Sequence, residues 1–220
     1  MQSTTSRLLA RSASTFAQTG ARQTVEIVQL PKPMIPSLPF VPPPRWAALI
    51  PGRLDKAFPA FPRHRGILFL KALIHPSYTT ESATGGTMAS LCPIGQAVLQ
   101  HSIQCAVANA AARSGGANLN PKRLAQDICT EETLSAVLKG GWGLDDLILT
   151  DAVIKEVRDA RTSKGLLRMS AFRTTIPISY HRLCVQAFVG AVYLDSGLDA
   201  AMRFVNSHVI PPAIDYLVPQ

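Results

Sequence analysis

Arg45, Trp46, Arg53, Phe58, Phe61, Arg63 and Arg65 set guanidinium groups beside aromatic rings within one short stretch. Guanidinium groups pair with phosphates and rings stack on bases, so this interleaving suits RNA. It also suits a solvated linker with a few rings tucked onto a domain. A second basic stretch, Lys155 to Arg182, holds seven Lys/Arg against two acids, Glu156 and Asp159. Arg161, Lys164, Arg168 and Arg173 lie within it as RNA-contact candidates, and a solvated charged face reads equally well. Patterns for catalysis or metal binding are sparser. Cys92, Cys105, Cys129 and Cys184 include no Cys-x-x-Cys pair, so neither zinc nor a disulfide framework is expected. The five histidines (64, 75, 101, 181 and 208) are scattered, and no nucleophile elbow or Gly-rich phosphate loop occurs. No cofactor and no metal site are expected from these patterns.

The 220 residues carry a net charge of +8 and 47% hydrophobic residues, enough for one sizeable domain with extensions. The charge is unevenly placed. Residues 1–65 hold nine Lys/Arg against Glu26 and Asp55, a balance of +7. Residues 66–220 hold thirteen against twelve acids, a balance of +1. A basic arm on a near-neutral domain points to an anionic partner, nucleic acid first. Residues 1–25 contain Arg7, Arg11 and Arg22, many Ser and Thr, and no acid, which is the composition of a mitochondrial presequence. Ten of the seventeen prolines fall within residues 31–62. Proline fixes φ and removes a donor, so segment 26–65 is expected to be extended and to add nothing to the core. No apolar run is long enough to span a membrane.

From Gly66 onward the apolar spacing becomes helical. One helix runs from Gly66 to the proline at 76, with His75 satisfying a carbonyl at its end. A second starts near Pro93 and runs through Val98, Ile103 and Val107 to Arg113. Asn120-Pro121 and Thr130 open two more, since each places a capping side chain before a first turn. Gly140-Gly141 is expected to close the latter. The stretch Tyr180 to Asp199 organises the rest. Ala187, Gly190 and Ala191 give it a small face that lets another helix approach closely, and Asp195 or Ser196 is read as a cap for the next helix. That last helix runs through Ala200, Ala201, Phe204 and Val205 to Pro211-Pro212. The chain thus divides into a presequence-like 1–25, a basic proline-rich 26–65, an all-α domain over 66–215, and a tail at 216–220.

The wording of three segments is more specific than their pattern. Gln186-Ala187-Phe188-Val189-Gly190-Ala191-Val192-Tyr193-Leu194-Asp195-Ser196-Gly197-Leu198 resembles the last signature of the ribonuclease III domain family. Ala72-Leu73-Ile74-His75-Pro76-Ser77-Tyr78 resembles that family's early His-Pro-Ser element. Leu91-Cys92-Pro93-Ile94-Gly95-Gln96-Ala97-Val98-Leu99 resembles its core motif. Together they span roughly residues 66–215 in the family's order. The resemblance implies an all-α fold and a metal-dependent phosphodiesterase acting on double-stranded RNA, with four acids on two facing helices. Carried over position by position, the two acids of the core motif fall on Cys92 and Gln96. The Asp and Glu of the last motif fall on Leu183 and Gln186.

Two dications about 4 Å apart repel by roughly 15 kcal/mol at an effective dielectric near 20, and carboxylates with substrate phosphate normally offset that. Two neutral amides, a thiol and an alkyl chain do not. The expected reading is a catalytically degenerate member with no enzymatic activity. The resemblance also implies a pairing module, with Ala97, Val98, Ala187, Gly190 and Ala191 as interface candidates. Together with the arm and the presequence-like start, the chain resembles the ribonuclease III-like members of fungal-type mitochondrial large ribosomal subunits. The implied partners are large-subunit rRNA, other large-subunit proteins and a second ribonuclease III-like protein, in the mitochondrial matrix. Two alternatives stand beside it. One is a non-catalytic subunit of an organellar RNA-processing or editing complex. The other is an active endonuclease with relocated acids, among them Glu81, Glu131 and Asp195.

Overall fold

The computed structural model describes residues 38–39, 41–59, 61–78, 85–113, 120–151 and 176–218. All of them fall within one unit, Pro36–Gln220. The helices, in chain order, are α1 (Pro44–Ala57), α2 (Gly66–Ala72), α3 (Cys92–Arg113), α4 (Pro121–Ile128), α5 (Glu131–Ala136), α6 (Ile178–Ser196), α7 (Leu198–Phe204) and α8 (Ile210–Leu217). No strand occurs among the described residues, where a lone bridge joins Ile74 to Leu149. The all-α expectation holds. No described helix is long and apolar enough to cross a membrane.

The organising stretch is α6. Cys184 through Val192 are all buried, so the helix is covered on every side rather than along one stripe. It packs most broadly against α3, and also against α2, α5 and α7. Asn120 and Thr130 cap as their sequence positions indicate. Asn120 Oδ1 accepts from the Arg123 amide at 3.1 Å, and Thr130 Oγ1 from that of Thr133 at 3.3 Å.

Four expectations are corrected. The proline-rich arm is not extended throughout: α1 spans Pro44–Ala57, with Pro44 in its first turn and Pro51 inside it. Ile50, Leu54 and Phe58 recur one turn apart and are at most 3% exposed. Burying each contributes about 1.5–3 kcal/mol, which together exceeds the roughly 3 kcal/mol that an interior proline costs. Phe58 lies 5.1 Å from both Trp142 and Phe204 between ring centroids, at the centre of an aromatic cluster. The arm therefore supplies part of the core.

Gly140-Gly141 does not close α5. The chain continues as a wider turn through Val137–Trp142 and stops at Gly143, whose φ of +63° is the left-handed conformation that ends helices. Pro211-Pro212 opens α8 instead of ending the preceding helix. Each proline sits in a first turn, where the missing amide costs little. Finally, among the described residues the His75 ring satisfies no carbonyl. Its Nδ1 accepts from the Ser77 amide at 3.1 Å and lies 2.8 Å from Ser77 Oγ, and the ring stacks on Tyr180 at 3.5 Å.

Candidate functional site

Cys92, Gln96, Leu183 and Gln186 meet where α3 crosses α6. Two glycines set that crossing. A Cβ on Gly95 would stand 1.7 Å from the Gln186 carbonyl oxygen, and one on Gly190 would stand 2.4 Å from the Leu91 carbonyl oxygen. The helices therefore touch backbone to backbone. This close approach puts Cys92 Sγ 3.3 Å from the Leu183 carbonyl oxygen, to which it donates. Gln186 is 5% exposed, whereas Gln96 and Leu183 are half-buried beside it.

Burial shapes the chemistry of these groups. It pushes the Cys92 thiol up to about 11, so at neutral pH the sulfur is a protonated donor and not a thiolate ligand. Cys184, fully buried on the facing helix α6, is pushed up as well, by burial first and by Cys92 second. Hard divalent cations take oxygen donors whose charge offsets their own. The available donors are two neutral amides and a protonated thiol, and they do not fit a paired-cation centre. Among the described residues, no three His, Cys, Asp or Glu side chains come together in a way that could hold a metal ion.

Two of the acids that could have moved into this role, Asp195 and Glu131, are otherwise engaged. Asp195 does not cap the helix after it. Its carboxylate reaches across the fold and accepts from the backbone amides of His64 at 3.0 Å and Arg65 at 2.6 Å, which fixes the entry to α2. The only sequence sign of this tie is an acid at a helix end, a signal that names no partner. Glu131 pairs with Arg182 at 3.3 Å. Glu81 lies outside the described residues. Arg182 also faces Cys129, whose thiol burial raises and Arg182 lowers. Beyond Gln96, the same ridge of α3 continues as Gln100 and Gln104. They face Lys122, Gln126 and Cys129 across a groove of about 370 Å³ between α3 and α4.

The structure disperses the RNA-contact candidates of the arm. Trp46 turns its indole inward, and Nε1 donates to the Leu147 carbonyl at 2.8 Å. Arg53 is clamped to Asp146 at 2.7 and 3.1 Å and to the Gly143 carbonyl at 2.5 Å. Arg63 pairs with Asp55 and reaches the Leu54 carbonyl at 3.3 Å. Arg45 is exposed, and Arg65 is half-buried. Trp46 and Arg53 hold α1 onto the domain, and Arg63 ties the segment after α1 back to it. Arg161, Lys164, Arg168 and Arg173 lie outside the described residues, as do the presequence-like residues 1–25.

The pairing candidates also divide. Ala187 and Ala191 are 0% exposed, Val98 is 8% exposed, and Gly190 is closed against Leu91. The small face of α6 is consumed by α3 of the same chain. Ala97 alone among these residues is exposed.

Residues 66–213 match the model of a ribonuclease-III-like family. Among solved structures, the chain is similar to the nuclease domain of ribonuclease III from Campylobacter jejuni. The TM-score is 0.53 at 19% identity, over 77% of this chain and 96% of that one. No curated protein sequence matches. The family match covers well over half of the chain, and the described helices share that nuclease domain's fold: the chain belongs to the ribonuclease-III-like family.

Proposed function

We propose that this chain is a non-catalytic ribonuclease III-like protein that serves as a structural component of the mitochondrial large ribosomal subunit. It pairs with another ribonuclease III-like protein there and contacts rRNA through its basic arm. One observation carries the non-catalytic part. The α3–α6 crossing is retained down to backbone contact at Gly95 and Gly190, while the residues around it offer a protonated thiol, an alkyl chain and two amides. Such a crossing keeps the shape that a partner or duplex RNA recognises without the charge that hydrolysis requires. Glu131 and Asp195 are committed to Arg182 and to backbone amides, which counts against a relocated acid set.

The ribosomal part rests on the N-terminal composition. Residues 1–65 carry a balance of +7, with a presequence-like start and ten prolines within 31–62. Arg53 is tied to the domain and Arg63 to α1, so the rRNA contact falls to Arg45, Arg65 and the residues before α1.

A mitochondrial lysate resolved on a sucrose gradient tests this reading. Comigration with the large subunit, lost only when the subunit is dismantled, is the expected result. A peak in a smaller RNA-containing particle would instead assign the chain to a processing or editing complex. Duplex RNA cleaved by the purified chain with Mg²⁺ or Mn²⁺, but not with EDTA, would overturn the non-catalytic reading.

A further inference from the structure

The groove between α3 and α4 is lined by polar side chains that the proposed function leaves unused. Gln100 and Gln104 stand one turn apart on α3, and Lys122 and Gln126 one turn apart on α4. All four are exposed, and among the described residues none makes a hydrogen bond or an ion pair. Three carboxamides and an ammonium group therefore border one depression with their donors and acceptors unspent. Between them the walls are apolar, from Pro121, Ala125 and the half-buried Cys129.

Charge narrows the class of ligand. Among the described residues no carboxylate lines the groove. The acids nearest along the chain are paired, Asp127 with Arg123 at 3.8 Å and Glu131 with Arg182 at 3.3 Å. An anion beside Lys122 therefore meets a cation and no unpaired acid. The volume, about 370 Å³, lies near the lower end of the roughly 300–1,000 Å³ usual for small-ligand sites. This is the scale of a single nucleotide and too small for a duplex. A carboxamide sets a donor beside an acceptor, which matches the edge of a base and best the N6 and N7 of adenine. Bases expose those edges when a strand is unpaired. An ammonium group pairs with phosphate whatever the sequence.

We propose that this groove holds one unpaired nucleotide of a single-stranded RNA segment, adenosine preferred. Gln100, Gln104 and Gln126 read the base edge, Lys122 pairs with the phosphate, and Pro121 and Ala125 pack against the face of the base. The proposal rests on the rRNA-contact reading and deepens it, since it adds a site on the helical domain to the basic arm.

The test uses the purified full chain and fluorescently labelled oligo(A) and oligo(U) of equal length, with binding followed by anisotropy across a salt series. Oligo(A) should bind about tenfold more tightly than oligo(U). Gln100→Met and Gln104→Met keep side-chain length and lose the amide, and each should remove most of that preference. Lys122→Ala should weaken both oligonucleotides alike and reduce the slope of log affinity against log salt by about 0.7. Cys129 supplies a readout that needs no substitution. Saturating oligo(A) should slow its alkylation several-fold and leave Cys105, outside the groove, unchanged. Equal affinity for the two oligonucleotides, with all three variants binding as wild type and Cys129 unprotected, would place RNA on the arm and overturn the groove. Binding to neither would overturn the groove and the rRNA contact together. Adenosine preference with Cys129 protection, in a chain absent from large-subunit fractions, would uphold the groove and count against the ribosomal reading.

Discussion

Replacing Gly95 by alanine is the sharpest probe of the α3–α6 crossing. The added Cβ would stand 1.7 Å from the Gln186 carbonyl oxygen and 2.7 Å from both the Gln186 carbonyl carbon and the Gly190 amide nitrogen. Ordinary contact begins near 3.4 Å, so the helices must separate by well over 1 Å at this point. Every atom in the way is backbone, and no rotamer change relieves the clash. Overpacking where side chains can yield costs about 1–3 kcal/mol. Here the cost should reach the upper end, about 3 kcal/mol, before counting the packing lost along α3. That is a large share of the roughly 5–15 kcal/mol that holds a domain folded. Urea unfolding followed by far-UV circular dichroism is the assay. With m near 1–3 kcal/mol/M, a loss of 3 kcal/mol moves the midpoint down by about 1–3 M. Gly52→Ala is the internal control. Gly52 lies within α1 with nothing within 4 Å of its added Cβ, so alanine there should be neutral or stabilising by up to about 1 kcal/mol. A Gly95→Ala midpoint within about 0.3 M of wild type would refute the backbone-contact account, since the variant would then have lost under 1 kcal/mol.

Asp195→Ala removes the acceptor for two amides at the entry to α2. It should cost about 1–3 kcal/mol and speed amide exchange at His64 and Arg65, whereas unchanged exchange there would contradict the tie. Burial lowers the pKa of His75, His181 and His208, with Asp151 partly opposing at His75 and Asp145 at His181. The unfolded chain therefore binds more protons below about pH 6.5, and stability present above that value should fall as the pH drops, by up to about 1.4 kcal/mol per unit for each group. Thermal melts should be flat between about pH 7 and 8 and decline towards pH 5, and a rise there would reverse the sign. With its thiol near 11, Cys92 is about 0.1% thiolate at pH 8. Mass spectrometry should find Cys92 and Cys184 unlabelled by an alkylating reagent in the native state and fully labelled in urea, and rapid native labelling would refute their burial.

The helical domain was legible because its signals are local. Asn120 and Thr130 each name their cap in the sequence, and the small residues Ala187, Gly190 and Ala191 of α6 recur at helical spacing. The order of the motifs also pointed to Cys92, Gln96, Leu183 and Gln186 as one group. What escaped was set by distant partners. Proline count marked the arm as extended, because composition does not show that Ile50, Leu54 and Phe58 will find a core. Arg53 and Trp46 read as RNA contacts because nothing nearby in sequence points to Asp146 and Leu147, some hundred residues on. The small face of α6 read as an interface between chains for the same reason. Small residues report a close approach without saying whose helix approaches.

That last ambiguity bears on how a crossing lined by Cys92, Gln96, Leu183 and Gln186 is held together. In a carboxylate-lined crossing, like charges repel until cations arrive, so fold and metal binding are coupled. In this chain the helices are held by glycine-to-carbonyl contact, and Cys92 donates to the Leu183 carbonyl. None of those interactions needs a cation or a charge. Gln186, 5% exposed, would be costly as an unpaired carboxylate and is tolerable as an amide. The crossing is therefore stable in its neutral form, and placing an acid at Gln186 alone would destabilise the domain before it conferred any chemistry.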